Sequence, residues 1–336
     1  MPENNPSQEQ PTRLPDTGLM GNAGRPELSI VLPIYNEELV IDELHRRLGE
    51  FLAAVGTTWE VIFVDDGSID QSFAKLRALA DGEGRYRLVS FARNFGHQFA
   101  ITAGIDYARG SAVVVMDADL QDPPEVVAEM LARFREGFDI VHGVRRKREK
   151  ESLFKRATAY LFYRLLRSVV GITVPVDAGD FRLMSRRVVL TFRALRETNR
   201  FVRGMVAWVG FRQTTVLYDR KARFAGETHY PLRKMLKFAF DGITAFSIVP
   251  LRVATWLGFL AGAVGVGVAA WALYGRLYGY IVPGWATLMI TVSLGASAQL
   301  LMTGILGEYV GRIYEEVKRR PLYIVAEEVN ASREER

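Results

Sequence analysis

Residues 112–125, AVVVMDADLQDPPE, decide the fold. The apolar, largely β-branched run from Ala112 to Met116 reads as a buried strand. It stops at two carboxylates one residue apart, Asp117 and Asp119, with Gln121 and Asp122 close behind. Pro123-Pro124 then ends the loop and opens a helix. Two carboxylates at a strand end can both face an open crevice. A hard divalent cation such as Mg²⁺ or Mn²⁺ takes oxygen ligands and keeps substrate phosphates as partners. Alone, the same letters also suit a solvated acidic turn.

The strand-then-acid rhythm repeats upstream. Leu28 to Leu32 is a short apolar run leading into Pro33, Tyr35, Asn36 and Glu37. Trp59 to Val64 is another, closed by Asp65-Asp66-Gly67-Ser68, a cluster that also suits a helix N-cap. Arg87 to Phe91 is a further strand. Between these runs the spacing predicts helices over Glu38–Val55, about Asp70–Ala80 and His97–Ala108. Strands alternating with helices indicate an α/β domain with a mostly parallel sheet, whose ligands sit beyond the carboxyl ends of the strands. No G-x-G-x-x-G follows a strand and no G-x-x-x-x-G-K-[ST] occurs, which speaks against a dinucleotide fold and excludes a P-loop.

Composition bounds the rest. The 336 residues suit about two domains and carry a net charge of +5, a mild excess that favours an anionic partner such as a phospholipid or a nucleotide. No basic run is interleaved with aromatics, so nucleic acid is not expected. The absence of cysteine excludes disulfides and thiolate metal sites. Met1 to Gly24, rich in Pro, Asn, Gln and Gly without an apolar core, reads as a disordered tail rather than a signal peptide.

The chain is 49% hydrophobic, and the surplus collects after Phe246. Val253 to Gly275 and Leu277 to Gly307 carry no charge, and each exceeds the roughly 20 residues that cross a bilayer. A buried helical hairpin in a soluble core is the competing reading. Arg233, Lys234 and Lys237 precede the pair, and Arg312, Lys318, Arg319 and Arg320 follow it, while the connecting loop offers only Arg276. The positive-inside rule then places both termini and the α/β domain in the cytoplasm, on a multi-pass protein of the inner membrane. Leu153–Val170 and Pro231–Phe246 mix basic, aromatic and aliphatic residues, as interfacial helices do, although a helix packed on the sheet has the same pattern. Gly258 and Gly262 form a small-xxx-small pair suited to helix packing, either in a homo-oligomer or within one subunit. The expected organisation is therefore a tail over 1–26, an α/β domain over 27–230, an interfacial helix over 231–246, a two-helix membrane region over 247–312 and a cytoplasmic tail over 313–336.

LPIYNEE, VIFVDDGSID, RNFGHQFAITAGIDYA and VVVMDADLQDPPE, in this order and spacing, resemble the family 2 glycosyltransferases, which have the Rossmann-like GT-A fold. DAGDFRLMSRR, RFVRGMVAWVGFRQ and AGETHYPLRKM look like the polyisoprenyl-phosphate glycosyltransferases, the group of bactoprenol glucosyltransferase and dolichyl-phosphate mannose synthase. The resemblance runs from about Leu28 to Val325. It implies transfer of a sugar from a nucleotide-sugar, UDP-glucose foremost, to a polyisoprenyl phosphate, with inversion and a Mg²⁺ or Mn²⁺ ion. GDP-mannose, other UDP-sugars and a modified arabinose stay open as donors. So does a non-catalytic subunit that only binds a nucleotide-sugar.

The resemblance also assigns roles. Pro33, Tyr35 and Glu37 would pack on the base, Asp66 with Asp65 would contact it, and Asp117 would lie near the ribose. Asp119 would hold the metal with Gln121 as a second ligand. Arg145 and Arg156 would lie near the acceptor phosphate, and Asp180 would be the catalytic aspartate, with Arg182 and Arg203 near phosphate charge. Where relatives carry G-E-S/T-K-Y, this chain has His229 in place of the lysine, which puts that diphosphate contact in doubt unless Arg233 or Lys234 replaces it.

Overall fold

The computed structural model describes residues 24–146, 178–220, 249–278 and 284–332. The expected N-terminal tail up to residue 23, both candidate interfacial segments, Arg156 and His229 lie outside the described residues.

Eight strands form one sheet in the order β7-β5-β6-β4-β1-β2-β3-β8. They are β1 (Leu28–Ile34), β2 (Trp59–Asp65), β3 (Tyr86–Phe91), β4 (Ala112–Val115), β5 (Ile140–Arg145), β6 (Ala178–Ser185), β7 (Gln213–Tyr218) and β8 (Val325–Val329). Strands β4, β1, β2 and β3 run parallel, as the apolar runs predict. The sheet is nevertheless mixed. β6 lies antiparallel to both β4 and β5, and β8 antiparallel to β3.

Helices cover both faces. α1 (Ile41–Ala54), α2 (Ser72–Gly82) and α4 (Val126–Arg135) pack one core with Ile30, Leu32 and Val114. α3 (His97–Tyr107), α5 (Arg186–Ala194) and α6 (Val202–Trp208) pack the other with Val31, Val113 and Val115. Successive strand residues point to opposite faces, so a strand covered on both sides must be apolar throughout. Helix α3 sits close on the sheet at Gly104, where an added Cβ would stand 2.0 Å from a methyl of Val31.

Two long helices follow, α7 (Val249–Leu277) and α8 (Trp285–Val317). Each holds a stretch of 27 or 28 residues with mean hydropathy of 1.8 and 1.5, long and apolar enough to span a membrane. Their large apolar side chains are exposed, including Trp256, Phe259 and Leu300, so the buried-hairpin reading does not hold. Gly258 faces Met302 of the second helix, an intramolecular contact. Helix α8 runs ten residues past Gly307, and its Glu316 accepts a hydrogen bond from the Thr198 backbone N–H at 2.9 Å. The chain then enters the sheet as β8. The C-terminal end of the hairpin therefore returns to the α/β domain.

Candidate active site

Each acidic cluster stands where a parallel strand ends, and tertiary contacts fix its loop. After β1, Asn36 adopts φ +54, accepts a hydrogen bond from the Ile69 N–H at 2.9 Å and donates its own N–H to Ser68 Oγ at 3.0 Å. This ties the first loop to the second. In the second loop Gly67 has φ +68, and a Cβ there would lie 2.5 Å from the Arg93 carbonyl carbon, so only glycine fits.

Asp65 and Asp66 divide their labour. Asp65 is buried and accepts from Ser68 N–H at 3.1 Å and from Ser90 Oγ at 2.7 Å, a scaffolding role. Asp66 accepts from the Phe95 N–H at 2.7 Å and the Gly96 N–H at 2.9 Å. It thereby fixes Phe95 and the N-cap residue Gly96 just ahead of α3. Burial still raises its pKa against those hydrogen bonds. Asp66 borders the cavity, yet these contacts give it a structural task that the expected base contact omits.

After β4 the chain turns through Leu120, whose φ of +60 is rare for a branched side chain. Leu120 is buried in the core, which holds that turn in place. The turn lets the Gln121 N–H donate to Asp119 Oδ1 at 3.1 Å. Gln121 thus meets Asp119 through its backbone. The other oxygen of Asp119 lies 3.9 Å from the Arg220 guanidinium.

A cavity of about 340 Å³ opens between these loops, lined among others by Pro33, Tyr35, Glu37, Asp66, Asp117 and Asp119, all of them expected from the sequence. Asn94, Gly96 and His97 complete its wall. Burial, with Asp180, Asp122 and Asp119 nearby, pushes the Asp117 carboxyl up to about 6, although His97 pulls it down. Asp117 Oδ1 is buried and has no hydrogen-bond partner among the described residues. Among these residues no three His, Cys, Asp or Glu side chains gather into a metal cage. Two neighbouring carboxylates, Asp117 and Asp119, still suit a cation held by one or two side chains and completed by phosphate and water.

Asp180 comes to the same place from β6. Val115 pairs with Arg182, and carrying that register on sets Asp117 opposite Asp180. Arg203 on α6 grips Asp180 with two parallel bonds of 3.0 Å, and Arg182 adds one of 3.1 Å. Burial alone would raise the Asp180 pKa. The hydrogen bond from His97 and the charges of Arg203 and Arg182 outweigh it and hold the carboxylate ionised. Arg182 is itself sealed in, and its NH2 group also donates to the Gly179 carbonyl at 2.8 Å. Both arginines brace Asp180, and Arg182 has no face toward the cavity for a phosphate.

On the far side Tyr218 donates to Asp122 at 2.5 Å and lies 3.4 Å from Arg145 Nε, so Arg145 is anchored near Asp122. Sequence reasoning missed His97, Asn94, Arg220 and the Tyr218–Asp122 pair. A polar residue directly after Gly96 at a strand-to-helix junction was the available signal for His97. Asn94 lies in the same loop and Asp122 in the loop after β4, whereas Tyr218 on the distant β7 and Arg220 just past it left none.

The family model described as Glycosyl transferase family 2 matches residues 29–192. The chain is 50% identical to the glycosyltransferase YkcC of Bacillus subtilis over 89% of this chain and 93% of that protein. It is 38% identical to the bactoprenol glucosyl transferase of Shigella phage SfII over 89% and 97%. A crystal structure of glucosyl-3-phosphoglycerate synthase from Mycobacterium tuberculosis, with Mn²⁺, UDP and glucosyl-3-phosphoglycerate, is similar at a TM-score of 0.45 and 22% identity, over 66% of this chain and 78% of that one.

Proposed function

The chain belongs to glycosyltransferase family 2, and from that premise we propose that it moves a sugar from a nucleotide-sugar to a polyisoprenyl phosphate, in the first instance glucose from UDP-glucose to undecaprenyl phosphate. The observation that carries this reading is a carboxylate-lined cavity in the same chain as two helices fit to span a membrane. A lipid-borne phosphate cannot leave the bilayer, so its enzyme must hold the active site at the membrane surface. The phage relative's name supplies the acceptor class.

The chemistry follows from charge. A phosphate oxygen of the acceptor attacks the anomeric carbon as the bond to the nucleoside diphosphate breaks, and single displacement inverts that carbon. A phosphate monoester is largely ionised near neutral pH, with a second pKa of about 6, so no strong base is required. Tyr35, Pro33 and Glu37, which line the cavity, would pack on the base, and Asp117, which lines it too, would lie toward the ribose. Asp119, with Gln121 beside it, would hold Mg²⁺ or Mn²⁺, which when bound supplies positive charge to the leaving diphosphate. Asp180, fixed as an anion, orients the acceptor. Arg145 and Arg220 provide positive charge on the Asp119 side.

Topologically, the domain and both termini are cytoplasmic on this reading. A cysteine replacing Tyr278 should react with an impermeant thiol reagent in intact cells, and labelling at an added C-terminal cysteine instead would reverse the orientation. The reaction is tested with purified protein, Mg²⁺ or Mn²⁺, undecaprenyl phosphate and a panel of nucleotide-sugars, with the lipid read by mass spectrometry. A glycosylated lipid from UDP-glucose is the expected product. Product from another donor alone would replace the sugar, and none from any donor would overturn the reading.

A further inference from the structure

The cavity has one side chain that touches both halves of the site and that no role above includes. His97 is the first residue of α3. Its Nε2 lies 3.5 Å from Asp117 Oδ1 and 3.4 Å from Asp180 Oδ2. Asp117 closes a parallel strand on the donor side, whereas Asp180 arrives on the antiparallel strand β6. We propose that His97 is a positioning residue of the transfer reaction, bridging Asp117 and Asp180 so that the donor-side and acceptor-side carboxylates share one frame.

Three observations carry this. First, the other cations are already distributed. Arg182 and Arg203 serve Asp180, and Arg220 faces Asp119. The basic side chain at ion-pair distance from Asp117 is His97, while the charge of Arg182 reaches Asp117 as well. Second, the ring is held from behind. Asp66 seats the Phe95 and Gly96 amides, Gly96 at φ +108 turns the chain, and the tight contact of Gly104 with Val31 fixes α3 on the sheet. Third, the ring is 45% exposed and lines the cavity. A histidine placed only to pack the core would be covered. Burial would lower its pKa, but Asp180 and Asp117 outweigh this and raise it, in keeping with a ring seated between two carboxylates.

The proposal rests on the sugar-transfer reading, so its test needs an arm that requires no turnover. The full chain in detergent, with ¹⁵N-labelled histidine, gives a pair of ring-nitrogen signals for each of its four histidines, and His97→Gln identifies the Nε2 signal of interest. That signal should move in Asp117→Asn and again in Asp180→Asn. A signal that ignores both substitutions overturns the bridge, whether or not the wild type transfers a sugar. In the kinetic arm His97→Ala should lose on the order of 10²-fold in kcat, the scale of an ångström of misalignment. Affinity for UDP with Mg²⁺ should change less than about threefold, and His97→Gln, which keeps a donor, should recover most of the rate. Full activity in His97→Ala, or donor affinity falling in step with rate, overturns the proposal. Wild type that transfers nothing from any donor defeats the sugar-transfer reading instead, and the ring signal still decides the bridge.

Discussion

The central strands and the two long helices are built from the same residues and meet opposite surroundings. Strand β4, Ala-Val-Val-Val, is at most 1% exposed. Along α7 and α8, Trp256 and Leu300 are each 73% exposed. Apolar strands buried on both faces are what a sheet between two helical layers requires. A helix that is apolar all round must also be covered, by protein or by lipid. The described residues cover almost none of it, which fits helices that cross a membrane. The two regions are joined where α8 passes its apolar stretch and hands the chain to β8. There Tyr107 bonds Glu328, and Tyr323 donates to the buried Asp106 at 2.7 Å.

The sharpest way to break this comparison is to place one charge in each region. Val114→Arg buries an unpaired cation among packed side chains. The expected cost is about 5 kcal/mol, most of the stability of an ordinary domain. Leu260→Arg faces lipid, where a central arginine costs about 3 kcal/mol. It should deplete the protein from the membrane fraction while the α/β domain still binds UDP, as read by calorimetry. Equal behaviour of the two variants would show that α7 is a core helix.

Within the domain the comparison becomes one between scaffold and chemistry. Asp119→Ala should lower turnover by about 10³-fold, the scale of losing a group that stabilises developing charge, and leave the melting temperature near that of the wild type. Excess chelator should mimic it, with Mg²⁺ or Mn²⁺ restoring the rate. Full activity in chelator would remove the metal from the proposal. Asp180→Asn is the smaller change. A loss of about 10²-fold, or roughly 2.7 kcal/mol in barrier, is expected in the lipid assay. Donor affinity should stay unchanged in a parallel titration. Loss of affinity in step with rate would merge the two sides of the site.

The same contrast explains what was legible in the sequence. β1 to β4 announce themselves as apolar runs, and their ends agree with the structure within about two residues. The acidic loops follow from those ends. β6 is hidden because it carries Asp180 and Arg182 in its interior, and such charges make sense only once Arg203 and His97 are known to meet them. β8, Val-Ala-Glu-Glu-Val, reads as part of a tail because an edge strand can carry charge on its open side. The mixed sheet was illegible for the same reason, since its antiparallel members are the strands without an apolar signature. The two long helices were plain from composition. The rejoining of the chain to β3 was not, because it depends on pairing across more than two hundred residues.

The smallest expected effect lies in a histidine that the chemistry does not use. His142 stands on β5, 2% exposed, with Nε2 at 2.9 Å from Gln213 Oε1. Burial, helped by the nearby Arg182 charge, pushes its pKa down to about 4. The unfolded chain has an ordinary histidine, with a pKa near 6.5. Between these values the unfolded state binds the proton and the native state does not. Stability is therefore complete above about pH 6.5 and is lost as the pH falls toward 4, by up to about 1.4 kcal/mol per pH unit from this group. At pH 5 the deficit comes to about 2 kcal/mol. His142→Gln keeps a donor toward Gln213 but has nothing to protonate. Thermal unfolding of the domain in detergent at pH 7 and pH 5 should show a drop in the wild type that is smaller in the variant by about that amount. An unchanged drop would mean that acid sensitivity arises in the carboxylates of the cavity, and the quiet half of the sheet would then be as inert to protons as the apolar helices.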